Sequence, residues 1–108
     1  MTMVNRQRGE IAATLDGRTW TLCLTLGALA ELEASLDASD LMALARRFEA
    51  GELAAGDAIK VIGAGLRGAG NDVDDAAVAR MRAEVGAAGF VAIVAELLTV
   101  TFGGGEAG

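Results

Sequence analysis

The chain lacks histidine, tyrosine and proline altogether, and its 108 residues include a single cysteine, Cys23. Without histidine, Ser-His-Asp and Cys-His catalytic arrangements are excluded, and so is metal binding by imidazole. One cysteine excludes an intramolecular disulfide and a cysteine-rich metal motif, and it suits a reducing compartment such as the cytoplasm. The sequence therefore predicts no catalytic residues, no metal site and no cofactor, and we expect a protein that is not an enzyme.

Basic residues and long apolar runs are also scarce. Nine Lys and Arg residues stand against fifteen Asp and Glu, which gives a net charge of −6, whereas nucleic-acid binding needs clustered positive charge. The longest apolar stretch, residues 87–100, is interrupted by Glu96 and is too short to cross a bilayer. The first residues are polar and basic, so we expect no signal peptide. We therefore expect a cytoplasmic protein that binds neither nucleic acid nor membrane.

The length predicts one domain spanning residues 1–108, ordered over about 8–103, with flexible tails at 1–7 and 104–108. Hydrophobic residues make up 53% of the chain, which is enough for a core without metal or disulfide. We therefore expect the chain to fold as a single α+β domain.

Residues 63–68 match G-x-G-x-x-G, a pattern that cradles phosphates when a strand enters it and a helix leaves it. Residues 58–62 could form the strand, and Glu84 lies near the expected acidic position. The required helix after the motif is missing, because residues 69–72 have a loop composition and supply no helix N-terminus for a phosphate. The pattern instead predicts the C-terminal half of a helix, with glycines for close packing and termination.

Residues 10–26 predict a β-hairpin. Asp16-Gly17 favours a two-residue type I′ turn, and this turn pairs Leu15 with Arg18, Ala13 with Trp20 and Ile11 with Leu22. The paired apolar residues then share one face with Leu24, and Cys23 lies on the other face among threonines. Two strands are marginal alone, so this face is expected to pack on helices.

The remaining chain predicts four to five helices, and the fold class is α+β with an N-terminal hairpin packed against a helical bundle. Thr25 is the expected N-cap of the first helix, and Gly68 or Gly70 the expected C-cap of the third. The helices and their inward residues are 26–36 with Leu29, Leu32 and Leu36; one capped by Ser39 or Asp40 with Leu41, Leu44, Ala45 and Phe48; 56–67 with Ile59, Ile62 and Leu66; one from about Asp74 with Val78, Met81 and Val85; and 87–102 with Phe90, Val94, Leu97 and Thr101.

The helix at 87–102 is apolar on most of its surface, and Glu96 is its one ionisable residue. Such a helix lies either wholly in the core or half in the core and half at an interface, and both interpretations stand at this point. If it has a partner-binding face, the candidate residues there and on the hairpin are Trp20, Phe90, Val94, Leu97, Leu98 and Phe102. The polar clusters favour structural roles, with Asp72, Asp74 and Asp75 expected to start a helix rather than to bind calcium.

With these elements placed, the chain resembles a family encoded in the gene transfer agent and phage-like tail clusters of alphaproteobacteria. The resemblance covers about residues 5–103 and depends on the order of short motifs. These are NRQRGE at 5–10, LTLGALAELE at 24–33, Arg47-Phe48 followed by Gly51, the run at 63–68, and AELL at 95–98 closing on Phe102-Gly103.

Members of that family look like phage tail-assembly chaperones, and the family has also carried a tail-tube label. The resemblance implies a non-enzymatic protein that binds the long helical tape-measure protein during tail assembly. Other tail proteins and a second copy of the chain are further candidate partners. The alternative is a structural tail component, such as a tube subunit. Tube subunits are typically β-rich, and one hairpin in 108 residues favours the chaperone.

Overall fold

The computed structural model of the chain describes Asn5, residues 8–36, Ala50, residues 55–83 and residues 86–103. Within these ranges it has an antiparallel two-stranded hairpin and four α-helices, so the predicted α+β class is confirmed. The second predicted helix, with Leu41, Leu44, Ala45 and Phe48, lies outside the described residues, as do nearly all of the predicted tails. The elements are β1 Glu10–Leu15, β2 Arg18–Cys23, α1 Leu26–Leu36, α2 Ala55–Gly68, α3 Asp75–Ala79, α4 Ala87–Leu98 and a π-helical turn Thr99–Gly103.

The hairpin has the predicted register. Leu15 pairs with Arg18, Ala13 with Trp20 and Ile11 with Leu22. Asp16 and Gly17 have φ of 56° and 70°, the left-handed conformation that a type I′ turn requires at both central positions. The alternation also holds, since the apolar residues of the inner face are buried, apart from the half-buried Trp20.

Helix α1 has the predicted bounds. The Thr25 hydroxyl accepts a hydrogen bond from the backbone N–H of Ala28 at 3.1 Å, which satisfies one of the free donors of the first turn. Leu32 is buried and Leu29 packs against the core. At the other end of α1, the Lys60 ammonium donates to the carbonyl of Ser35 at 3.1 Å.

Helix α2 is the central element and packs against α1, β2, α3 and α4. Residues 61–66 are all buried, and the half-buried Ile59 packs against the core. The helix ends in a Schellman motif, because Asn71 donates its N–H to the Leu66 carbonyl, Gly70 donates to Arg67, and Gly70 has φ of 96°. Gly70 is therefore the C-terminal glycine, and Gly68 serves a packing role.

The predicted helix beginning near Asp74 is shorter than its apolar spacing suggested. Asp74 caps it by accepting from the Ala77 N–H at 2.8 Å, and Val78 is buried, but α3 ends at Ala79. Residues beyond it pair with the hairpin, since Ala83 forms an antiparallel bridge with Leu15. The prediction of a helix continuing past Met81 is wrong, because the hairpin satisfies this backbone from a distance in sequence. Val85 lies outside the described residues.

Helix α4 packs against α2 and β1, and its α-helical part ends at Leu98, earlier than the predicted residue 102. From Thr99 the chain is a π-helical turn, in which the Thr101 hydroxyl donates to the Leu97 carbonyl at 2.7 Å. Such back-bonding competes with the helical backbone ladder and bends helices. The core joins both strands to all four helices: Ile11, Ala13, Leu15, Leu22, Leu24, Ala28, Leu32, Val61, Ile62, Ala64, Leu66, Val78, Ile93, Val94, Leu97 and Leu98.

Candidate partner-binding surface

The glycine run at 63–68 lies inside α2 and faces other elements rather than a phosphate. A Cβ on Gly65 would lie 2.7 Å from Leu97 Cδ2 and 3.3 Å from Leu22 Cβ, and one on Gly68 would collide with the carbonyl oxygen of Cys23. The glycines therefore let β2 and α4 approach the backbone of α2. No helix starts after the run in the way that phosphate binding requires, because the next helix, α3, begins at Asp75.

The six candidate partner-binding residues separate into two groups. Val94 and Leu97 are completely buried and Leu98 is 5% exposed, so these three belong to the core and correct the sequence-based assignment of a binding surface. Trp20, Phe90 and Phe102 are half-buried and pack against the core from its edge. The structure thus leaves the aromatic half of the predicted set accessible to a partner.

Two exposed apolar residues were missed as candidates. Val91 is 52% exposed and Leu26 is 84% exposed. Val91 follows Phe90 on α4, with Ala88 and Ala92 also exposed, so this side of α4 presents an uncharged surface. The exposure of Leu26 could have been predicted from the sequence, because Leu26 precedes the inward-facing apolar residues of α1, which begin at Leu29.

Trp20 has a fixed orientation. Its indole Nε1 donates to the Leu15 carbonyl at 3.2 Å, and the Arg18 guanidinium carbon lies 4.1 Å from the ring centroid. This is cation–π geometry. The ring is therefore held between the core and a cation at the turn end of the hairpin.

The charged groups beside α2 form a structural network. The Arg67 guanidinium donates to Glu31 on α1, to Asp75 on α3 at 3.1 Å and to the Val73 carbonyl at 3.0 Å. Partial burial acts to lower the pKa of Arg67, but the hydrogen bonds with Glu31 and Asp75 outweigh it and raise the pKa. Arg67 thus remains charged while it joins three helices.

The remaining chemical groups have structural surroundings. Burial raises the pKa of the Cys23 thiol, with Glu10 adding to the rise and Arg8 opposing it, so the reactive thiolate is disfavoured. Asp74 caps α3 and Asp75 binds Arg67. No group of three potential ligands that could hold a metal ion occurs among the described residues. None of the helices in the described ranges combines the length and apolar character needed to span a bilayer.

Fold and surface together define a small α+β fold with half-buried aromatic side chains on the hairpin, on α4 and on the π-helical turn that follows it. Residues 8–104 match the family described as phage tail tube protein, GTA-gp10. The chain belongs to this family, and this membership gives it a role associated with phage-like tails. The expected relation to gene transfer agent tail proteins is thereby confirmed. No curated protein and no solved structure matched the chain.

Proposed function

We propose that this protein is a non-enzymatic tail-assembly chaperone that binds the tape-measure protein in the cytoplasm. The observation that carries the proposal is the exposed side of α4. It is uncharged at Ala88, Val91 and Ala92, and its opposite side is anchored in the core by Val94 and Leu97. A helix held in this way can offer its outer side to another helix without unfolding.

The partner expected on such a surface is an amphipathic helix. Recognition of that kind buries apolar anchors spaced along one helical face. Val91 would provide the central contact and Phe90 and Phe102, both half-buried, its edges. The net charge of −6 would keep a loaded complex soluble. A tape-measure protein, long and helical, supplies amphipathic helices of this type.

A second candidate function is a structural component of the tail tube, and the family description favours it. Against it stands the small sheet, since the described residues contain two strands and one isolated bridge. A tube lined by a sheet needs extended strands from each subunit. We therefore rank the chaperone first, and the experiment below also tests the tube subunit as the alternative.

The test is co-expression with the tape-measure protein of the same gene cluster. The wild-type chain should increase the soluble fraction of the tape measure and co-purify with it. Val91→Glu should abolish both effects by placing a charge in the interface. Leu26→Glu is the matched control, because it makes the same kind of change at a more exposed residue on α1, and it should retain binding.

Two results would reverse the ranking. One is unchanged solubility of the tape measure with no recovered complex. The other is formation of rings or tubes by the isolated protein in electron micrographs, which would support the tube subunit directly.

A further inference from the structure

Each strand of the hairpin has an outer edge that faces away from the other strand. In a two-residue hairpin the residues that flank the turn exchange backbone hydrogen bonds with each other, and every second pair repeats this arrangement. Leu15 and Arg18 flank the turn, so the even-numbered residues of β2 bond to β1. The backbone N–H and C=O groups of Thr19, Thr21 and Cys23 therefore point away from β1 and form the outer edge of β2.

The composition of β2 does not protect this edge from pairing with a further strand. Natural edge strands are protected by charged side chains, by proline, by bulges or by a covering segment. Strand β2 has the sequence RTWTLC, without proline and with one charged residue, Arg18, next to the turn. Its residues pair one to one with β1, so it has no bulge, and threonine and tryptophan at its centre favour strands. Protection of this edge therefore depends on what covers it.

The turn that follows α2 covers part of the outer edge. The side-chain amide nitrogen Nδ2 of Asn71 donates to the Thr21 carbonyl at 2.9 Å and to the Leu66 carbonyl at 3.1 Å. Next to it, Gly68 packs so closely on the Cys23 carbonyl that a Cβ would collide with the oxygen. Thr21 and Cys23 are thus covered by the C-terminal end of α2, while Thr19 is exposed.

The outer edge of β1 is closed by backbone contacts at both of its ends. The Glu10 N–H donates to the Asn5 carbonyl at 3.1 Å, and the Asp16 N–H donates to the Arg82 carbonyl at 2.8 Å. On β2, by contrast, the Thr21 carbonyl is held by a single side chain. A side-chain contact can be removed by substitution without changing the course of the backbone, so β2 is the edge where protection can be tested.

We propose that the Asn71 side chain is an edge guard, an autoinhibitory contact that keeps β2 from pairing with the β2 strand of a second copy of the chain. The Leu66 carbonyl also accepts the backbone N–H of Asn71 at 2.9 Å, so the distinct contribution of the amide is its bond to Thr21. An added strand needs that same carbonyl as an acceptor. A second copy fits as the occupant, because antiparallel pairing of two identical strands about a two-fold axis is self-complementary.

The edge guard lies apart from the side of α4 proposed for the tape measure and acts in the isolated chain. It closes the sheet to extension in this conformation. A tube built by joining the sheets of neighbouring copies would therefore require Asn71 to release Thr21 first. The guard favours a chain that stays apart from its own copies while it binds a different partner.

The test measures self-association of the intact protein by sedimentation equilibrium. Asn71→Ala removes the amide, and Asn71→Ser replaces it by a hydroxyl on a shorter side chain. Both variants should self-associate at least about tenfold more tightly than wild type, since pairing no longer has to displace the guard in either copy. Asp74→Ala is the control, because it removes the cap of α3 without touching the edge of β2, and it should match wild type.

A second substitution distinguishes strand pairing from general loss of structure. The Thr19 N–H points away from β1, so Thr19→Pro leaves the hairpin bonds in place and removes a donor that an added strand would need. Asn71→Ala/Thr19→Pro should therefore return to the self-association of wild type. A purely structural role of Asn71 would not respond to Thr19→Pro in this way.

Circular dichroism checks that each variant is folded, and four results would overturn the proposal. The first is wild-type self-association in both Asn71 variants, and the second is equal association in Asp74→Ala. The third is association that persists in the double variant. The fourth is unfolding of both Asn71 variants, which would make the amide a requirement of the fold itself. Binding of the tape measure enters none of these measurements, so the proposed function stands or falls separately.

Discussion

At the scale of single residues, the glycines of α2 differ in what a methyl group would meet. On Gly68 it would meet the backbone carbonyl of Cys23, which cannot rotate away, and on Gly65 the movable end of Leu97. Overpacking costs about 1–3 kcal/mol, and we expect Gly68→Ala to lie at the upper end and Gly65→Ala at the lower end. Urea unfolding measures both.

Gly56 provides the control for these substitutions. It is in the same helix, and a Cβ there meets nothing within 4 Å. Gly56→Ala should be neutral or raise the free energy of unfolding by up to about 1 kcal/mol, because alanine favours helix. Equal stability of Gly68→Ala and Gly56→Ala would contradict the packing role assigned to the glycine run.

Cys23 gives a prediction about pH. Because burial raises its pKa, alkylation by iodoacetamide should be slower in the folded protein than in the urea-unfolded chain at the same mildly alkaline pH. The stabilisation linked to this shift is fully present below the pKa of the unfolded thiol and is lost as the pH rises through the higher folded value.

Glu10→Gln tests the second cause of that shift. Removing the Glu10 charge should move the pH profile of alkylation downward, since Glu10 adds to the rise. Glu33→Gln, at an exposed position on α1, is the control and should leave the profile unchanged. A profile that does not respond to Glu10→Gln would leave burial as the sufficient cause.

At the scale of elements, local signals were the reliable ones. Asp16-Gly17 and the alternation around it predicted the hairpin register because turn geometry and side-chain period act between neighbours in sequence. The end of α3 was missed because it depends on the bridge between Ala83 and Leu15, residues far apart in the chain. The helical spacing of apolar residues is a local signal, and it carries no information about backbone pairing with a distant strand.

The N-cap of α3 makes the local argument testable. Asp74→Ala should lower the free energy of unfolding by about 1 kcal/mol, because the Asp74 carboxylate accepts the Ala77 N–H. Asp72→Ala removes the same charge from an exposed neighbour before the cap and should cost clearly less. Thermal unfolding by circular dichroism distinguishes them, and equal losses would mean that charge rather than capping is measured.

At the scale of the whole molecule, packing decides which side of an apolar helix is a surface. Residues 87–102 are apolar on nearly every side of the helix. The sequence therefore could not show that Val94 and Leu97 are buried in the core while Val91 is exposed. That choice depends on where α2 and the hairpin sit. Trp20 belongs to a residue type that is rarely buried completely, whereas the partial exposure of Phe90 and Phe102 depends, like that of Val91, on packing.

Arg67 joins distant parts of the molecule and provides a prediction at this scale. It connects α1, α2 and α3 through Glu31, Asp75 and the Val73 carbonyl. Arg67→Lys should lower the free energy of unfolding by about 1–2 kcal/mol, because one ammonium cannot reproduce the fork of donors and leaves the Val73 carbonyl or a carboxylate without its partner. Arg82→Lys is the control, since the Arg82 side chain is exposed and has no ion pair within the described ranges, and it should be neutral.

Urea unfolding followed by both Trp20 fluorescence and circular dichroism measures the loss. Coincident transitions with a lower midpoint are expected if Arg67 stabilises one cooperative unit. Equal stability of the two lysine variants would show that Arg67 does not stabilise the junction of these helices.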